Sequence, residues 1–175
     1  AKARWLSHSK GDKITIPRVQ LFRKKPGSRL LPRQVTYYRP KQYDAVEWFK
    51  FLGWFLSEGN VVRVRNGRNQ KRCSGAICIT QKNERYVDEI RKIIVNLGYK
   101  PKEYVNKKGV RSFIFNDIHL SMYLQKFGIG AANKRLLDKW LWHNPKYLKH
   151  FLDCYIHGDG DDRNVITTLS KIMAD

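Results

Sequence analysis

Acidic residues are scarce in this chain of 175 residues: 15 aspartates and glutamates stand against 35 lysines and arginines, a formal net charge of +20. Such an imbalance points to a polyanion, with nucleic acid ahead of an acidic membrane surface or an acidic protein. Cysteine is scarce too. Cys73, Cys78 and Cys154 are too few, and odd in number, for a disulfide framework, which suits a reducing compartment, cytoplasmic or nucleoid-associated and in either case intracellular. Cys73 and Cys78 have no second ligand pair after them, so a structural zinc is not expected. No apolar run approaches the roughly 20 residues that a membrane span needs. Ala1–Trp5 leads into no long apolar stretch, so neither a membrane partner nor a secretory signal is expected. The chain also lacks a G-x-x-x-x-G-K-[ST] phosphate loop and a G-x-S-x-G nucleophile elbow. Apolar mass is not lacking: 42% hydrophobic and 13% aromatic residues suffice for a packed core, and one domain with an appendage is the default at this length.

The positive charge is uneven. Residues 1–43 hold twelve lysines and arginines against one acid, Asp12, more than half of the net charge. Pro17, Pro26, Pro32 and Pro40 punctuate the same stretch and forbid long helices. The segment reads as an extended basic arm or a small β-rich appendage, with Gln34–Tyr38 as a strand; a disordered lead-in is the alternative. A second basic group, Arg63, Arg65, Arg68, Lys71 and Arg72, falls in a segment where Val62 and Val64 alternate with Arg63 and Arg65. A strand there puts valines on one face and arginines on the other. Asn66-Gly67 supplies turn chemistry, and Gly75–Gln81 reads as the returning strand. A third group, Lys100, Lys102, Lys107, Lys108 and Arg111, sits in a second hairpin, with Tyr104-Val105 and Ser112–Phe115 as strands around Lys108-Gly109. A sheet with one apolar and one arginine-lysine face can lie in a DNA groove, so Arg63, Arg65, Arg68, Lys71, Arg72, Lys102, Lys107, Lys108 and Arg111 are the candidate DNA contacts. An ordinary solvated sheet face is the alternative.

Helices frame the hairpins. Asp44 and Glu47 form a capping box for a helix to Ser57 that is apolar almost all round and should be buried. Asn83 can cap a helix with the stripe Val87, Ile90, Ile94 and Leu97, closed by Gly98. Asn116 can cap another that ends at Gly128. A short helix is expected from about Lys134 to Leu141, and Asn144-Pro145 opens one more, to about His157.

Two segments match each other: Phe51-Leu-Gly-Trp-Phe-Leu-Ser-Glu-Gly59 and Leu152-Asp-Cys-Tyr-Ile-His-Gly-Asp-Gly160. Each ends a helix, carries small residues four apart (Gly53 and Ser57; Cys154 and Gly158), and finishes on an acid followed by glycine. Small residues at that spacing share one helix face and let two backbones approach closely. Packing along those faces would bring Glu58 and Asp159 together at two helix C-termini, where the dipoles disfavour negative charge. A divalent cation would offset both the dipoles and the carboxylate repulsion, and Mg²⁺ prefers such oxygen ligands. His157, next to these acids, reads as a surface or core histidine, with a place near the metal as the alternative.

These two nine-residue segments resemble the motif of the LAGLIDADG (dodecapeptide, DOD-type) homing endonucleases. The resemblance implies an α+β fold, an αββαββα repeat whose sheet forms a saddle on double-stranded DNA. It implies a basic β-rich extension over residues 1–43, a first repeat over 44–143 and an incomplete second repeat over 144–175. It makes Glu58 and Asp159 the catalytic acids that hold Mg²⁺ or another divalent cation, with Gly59 and Gly160 beside them at the metal. Gly128–Leu137 resembles the glycine-rich segment and following lysine of intein-borne members, which makes Lys134 a third catalytic residue; Leu136-Leu137 stands where Ile-Pro is usual. Gly11-Asp12 to Ile16-Pro17 is similar to the segment that closes the N-terminal splicing part of many inteins. The terminal splice residues and most of a second repeat are absent, so the chain reads as part of a larger intein-borne enzyme. Such an enzyme is a monomer of two repeats. Pairing of two first repeats through Gly53 and Ser57 is the alternative for a truncated chain. A non-cleaving DNA-binding protein of the same fold, or an inactive intein fragment, is the rival function.

Overall fold

The structure is a computed structural model, and it describes residues 12–16, 20–23, 34–37, 40–65, 73–128, 130, 133–137 and 145–159. Four short strands come first: β1 (Lys13–Ile16), β2 (Gln20–Arg23), β3 (Gln34–Tyr37) and β4 (Lys41–Asp44). β1 pairs antiparallel with β4, and β2 with β3. Helix α1 (Ala45–Glu58) follows, then the hairpin β5 (Gly59–Arg65) and β6 (Cys73–Gln81). Helix α2 (Val87–Asn96), the hairpin β7 (Lys102–Val105) and β8 (Arg111–Asn116), and helix α3 (Ile118–Leu124) complete the helix-hairpin-helix-hairpin-helix order. The last described helix is α4 (Pro145–Asp159), which packs lengthwise on α1.

The β-rich reading of the first segment holds, but the segment shares the core of the rest. Ile14, Ile16 and Tyr43 are buried in the same cluster as α1, and Tyr43 stacks on Trp48 with centroids 5.4 Å apart. Asp12 is its clasp. Its carbonyl accepts the Ala45 N–H at 2.8 Å, and its carboxylate accepts the Tyr147 hydroxyl at the start of α4.

Local chemistry explains the helix ends. Asp44 accepts the Glu47 N–H at 3.1 Å, one half of the expected capping box; the Glu47 carboxylate takes Lys50 instead. Asn83 caps a 3₁₀ turn, Glu84–Tyr86, that leads into α2. The cap of α3 is Asp117 and not Asn116. Asn116 is still the last residue of β8, whereas the Asp117 carboxylate accepts the Leu120 N–H at 2.9 Å. The helix expected from Lys134 does not begin there: 134–137 are irregular, and 138–141 lie outside the described residues. Residues 134–137 belong instead to a loop in which the Arg135 N–H reaches back to the Phe127 carbonyl at 2.7 Å.

The main sheet has the order β5-β6-β8-β7, antiparallel throughout. Ile77 lies opposite Phe115, and Ile79 opposite Phe113, on the face that α1 covers; all four are buried, and Phe51 of α1 meets Phe115 edge-on. Burying these large side chains stabilises each by about 1.5–3 kcal/mol relative to exposure. α1 itself buries Trp48, Phe49, Phe51, Leu52, Trp54, Phe55 and Leu56, which accounts for its lack of a polar face. No helix among the described residues is long and apolar enough to cross a membrane.

Candidate active site at the ends of two close-packed helices

The two matched segments form one interface. At Gly53 a Cβ would lie 2.5 Å from the Phe151 carbonyl oxygen and 2.8 Å from Cys154 Cβ. At Gly158 a Cβ would overlap the Ser57 hydroxyl and lie 2.5 Å from Ser57 Cβ. Gly53, Ser57, Cys154 and Gly158 are thus the contact line between α1 and α4. The face that could pair two first repeats is occupied by the chain's own α4.

This contact sets Glu58 and Asp159 side by side at two helix C-termini. Both carboxyls are pushed above their ordinary range. For Glu58 burial is the main cause, Asp159 adds to it, and Lys134 and a hydrogen bond from Thr80 oppose it. For Asp159 burial again dominates, against a hydrogen bond from Tyr155 and the charge of Lys134. The pair is short of positive charge, which is the electrostatic condition of a cation site.

Lys134 supplies part of that charge. The residue is 7% exposed, and its ammonium donates to the carbonyls of Phe55 at 3.2 Å and Ser57 at 3.3 Å, at the carbonyl end of α1. Burial lowers its pKa, while Asp159 and Glu58 pull it back up. A lysine 76 positions beyond Glu58 in sequence thereby caps the helix that presents it.

Sequence reasoning missed two neighbours. The Thr80 hydroxyl donates to the Glu58 carbonyl at 3.3 Å, and Tyr155 bonds Asp159. Thr80 carried a signal, since it is the polar alternate to Ile77 and Ile79 and so falls on the face opposite the core. Tyr155 sits one turn before Asp159 within an apolar stripe and carried none.

His157 is not at the acids: it stacks on Tyr86 at 4.7 Å and faces Glu89 at 3.9 Å. Cys154 is buried and directs its sulfur to Glu89 at 3.3 Å, and burial raises its pKa strongly, so it is a packed thiol. No group of three or more His, Cys, Asp or Glu side chains with metal-binding geometry occurs among the described residues, so the candidate centre rests on Glu58 and Asp159. Gly59 follows directly as the C-cap of α1; Gly160 lies outside the described residues.

The sheet face away from α1 carries two cross-strand rows. One runs Asn60, Cys78, Ile114, Lys102; the other runs Thr80, Ser112, Tyr104, ending at the Thr80 that touches Glu58. Lys102 is exposed and Tyr104 is 55% exposed. β5 pairs with β6 along its whole length, with Val61 opposite Ile77, Arg63 opposite Gly75 and Arg65 opposite Cys73; the side chains of 62–65, on which the expected arginine face depends, lie outside the described residues. Arg68, Lys71 and Arg72 lie outside the described residues. Lys107 and Lys108 are exposed in the β7–β8 turn. Arg111 is engaged: it reaches Glu84 at 3.2 Å and Glu103 at 3.3 Å, and Glu103 also holds Arg91 at 2.6 Å.

Comparison with known proteins agrees with this fold. Residues 49–128 match the family model described as a LAGLIDADG-like domain. Among solved structures, the chain resembles I-DmoI in complex with DNA and Ca, with TM-score 0.50 and 16% identity over 68% of this chain and 60% of that one. Mesophilic variants of the homing endonuclease I-DmoI match with the same score and identity, over 64% of their chain. The fold is therefore LAGLIDADG-like. Curated relatives are iron-sulfur cluster assembly SufBD family proteins of Mycobacterium bovis and Mycobacterium tuberculosis, 25% identical over 168 residues. The match covers 92% of this chain but only 17% of the length of those relatives.

Proposed function

We propose that the chain is the nuclease part of a homing endonuclease that cuts both strands of a specific DNA duplex by metal-assisted phosphodiester hydrolysis. The observation that carries this reading is the meeting of Glu58 and Asp159 at two helix ends with the buried Lys134 beside them. Hard oxygen donors short of positive charge fit Mg²⁺ or a similar divalent cation, and Glu58 and Asp159 would hold it. Such an ion supplies Lewis acidity toward a phosphate and lowers the pKa of bound water. The chain's own residues do the rest. α1 and α4 fix the carboxylates, and Lys134 neutralises part of their charge from inside the protein. Thr80 braces the backbone of Glu58. Lys102, Lys107 and Lys108 offer phosphate contacts, with Tyr104 among them on the open face. Arg63, Arg65, Arg68, Lys71 and Arg72 belong to the same proposed footprint. Arg111 serves it indirectly, by holding the β7–β8 hairpin.

We read the enzyme as borne by an intein. Two observations support this. The stretch from Gly11-Asp12 to Ile16-Pro17 resembles the end of a splicing part, and the homologous stretch is a small section of much longer proteins named for a different activity, iron-sulfur cluster assembly.

The test is nicking of supercoiled plasmid in Mg²⁺ by the wild type and by Glu58→Gln. Metal-dependent nicking by the wild type alone supports the reading. Equal background in both overturns cleavage, and DNA binding without nicking assigns the chain to the non-cleaving class.

A further inference from the structure

Lys134 reaches the carbonyl end of α1 from a segment that crosses the chain just before it. Gly128 ends the 3₁₀ turn after α3 with φ 103° and ψ 157°, a backbone region that is essentially restricted to glycine. A Cβ there would overlap the Asn133 carbonyl oxygen and lie 2.5 Å from its carbon and 3.0 Å from Lys134 Cα. These neighbours are backbone atoms of the crossing segment, so no side-chain rotation relieves the overlap. One residue further on, the Arg135 N–H closes the loop onto the Phe127 carbonyl at 2.7 Å. The crossing thus pins the Cα of Lys134 against Gly128, and from that point its ammonium reaches the Phe55 and Ser57 carbonyls at the end of α1.

We propose that Gly128 is a positioning residue for Lys134: its missing Cβ lets segment 133–135 seat the Lys134 ammonium between the carbonyl end of α1 and the Glu58–Asp159 pair. This assignment rests on the nuclease reading for its functional consequence, but not for its geometry. In a nuclease, displacing Lys134 by about 1 Å lowers kcat by up to about 10²-fold and leaves the half-saturating plasmid concentration unchanged, because the open sheet face is untouched.

The experiment is a double-mutant cycle of Gly128→Ala and Lys134→Met, followed by plasmid nicking and by thermal unfolding in chelator. Gly98→Ala is the control. Gly98 also has a positive φ, 88°, but a Cβ there meets nothing within 4 Å, so this variant carries a positive-φ cost without the block. Gly128→Ala is expected to lose kcat where Gly98→Ala does not, and to lose nothing further in the Lys134→Met background. In unfolding, the shift caused by Gly128→Ala is expected to shrink once Lys134 is Met. Additive effects in both readouts overturn the assignment. So does a Gly128→Ala chain that no longer folds, since Gly128 would then serve the whole core. If the wild type nicks nothing, the nuclease reading fails alone, and the unfolding cycle still decides whether Gly128 and Lys134 are coupled.

Discussion

The contact between α1 and α4 can be tested by exchanging its smallest partners. Gly158→Ala places a methyl group against Ser57, whose Cβ would be 2.5 Å away. Carbon atoms in good contact sit about 3.5–4.0 Å apart, so the helix ends must separate by about 1 Å. Overpacking of this kind costs about 1–3 kcal/mol. Alanine recovers up to about 1 kcal/mol of that through helix propensity, less here because Gly158 lies in the last turn. The net loss is about 1–2 kcal/mol, a fall in Tm of roughly 2–8 °C. Activity should suffer more than stability, because Glu58 and Asp159 move apart with the helix ends, with a loss of up to about 10²-fold. Ser57→Gly removes both Ser57 atoms in the overlap, so Ser57→Gly/Gly158→Ala should recover most of the Tm and part of the nicking rate. The assays are thermal unfolding and plasmid nicking on the four members of the cycle. If Gly158→Ala is equally harmful in the Ser57→Gly background, the Ser57–Gly158 contact is not what sets the helix approach.

Three further outcomes follow from the site. Glu58→Gln should abolish metal-dependent nicking, by at least about 10²-fold, yet raise the Tm of the metal-free protein above neutral pH. The folded pKa of Glu58 is raised by burial and by Asp159, so its stabilising contribution is complete below its unfolded pKa and is lost as pH rises; an equal Tm for both proteins at pH 8 in chelator would contradict this. Burial pushes Asp117 up, but hydrogen bonds from Lys41, Tyr99 and the Leu120 N–H outweigh it and hold its pKa below the ordinary value. Its contribution is therefore present above the unfolded pKa and lost as pH falls through the folded one. Asp117→Ala should cost about 1–3 kcal/mol near pH 7 in denaturant titration and progressively less in acid. Lys107→Ala and Lys108→Ala should each lower the slope of log affinity against log salt by about 1, measured by DNA titration at several salt concentrations. Arg111→Ala should leave that slope unchanged, since its charge already faces Glu84 and Glu103; a reduced slope would make Arg111 a phosphate contact.

Most of the scaffold was legible because it is local. The Asp44 cap, the apolar run of α1, the Asn83 start, the Gly98 end and both hairpins follow from spacings within a few residues, and the structure has them. The misreadings are also physical. Asn116 and Asp117 are adjacent residues of similar capping chemistry, and which one caps α3 depends on where β8 stops pairing with β6, a non-local matter. Lys134–Leu137 has helix-forming residues, but their backbone is taken up by the crossing at Gly128 and the bond to Phe127. Along β5, spacing alone could not set the register against β6; the pairing of Val61 with Ile77 does.

The sequence by itself determined the elements, the basic character and the two matched segments with their acids, because helix caps, strand alternation and small-residue spacing are short-range properties of the chain. The small-residue spacing pointed to a meeting of Glu58 and Asp159, 101 positions apart, and tertiary structure decided that α1 and α4 of one chain make that contact. It also decided that Lys134 is buried beneath them, that Thr80 and Tyr155 brace them, and that Arg111 is engaged by glutamates. The physical reason is common to all four. Each joins segments that are apart in sequence, so packing across the fold sets it, and for the helix ends and Lys134 the absence of a single Cβ at Gly53, Gly158 or Gly128 sets how closely the backbones approach.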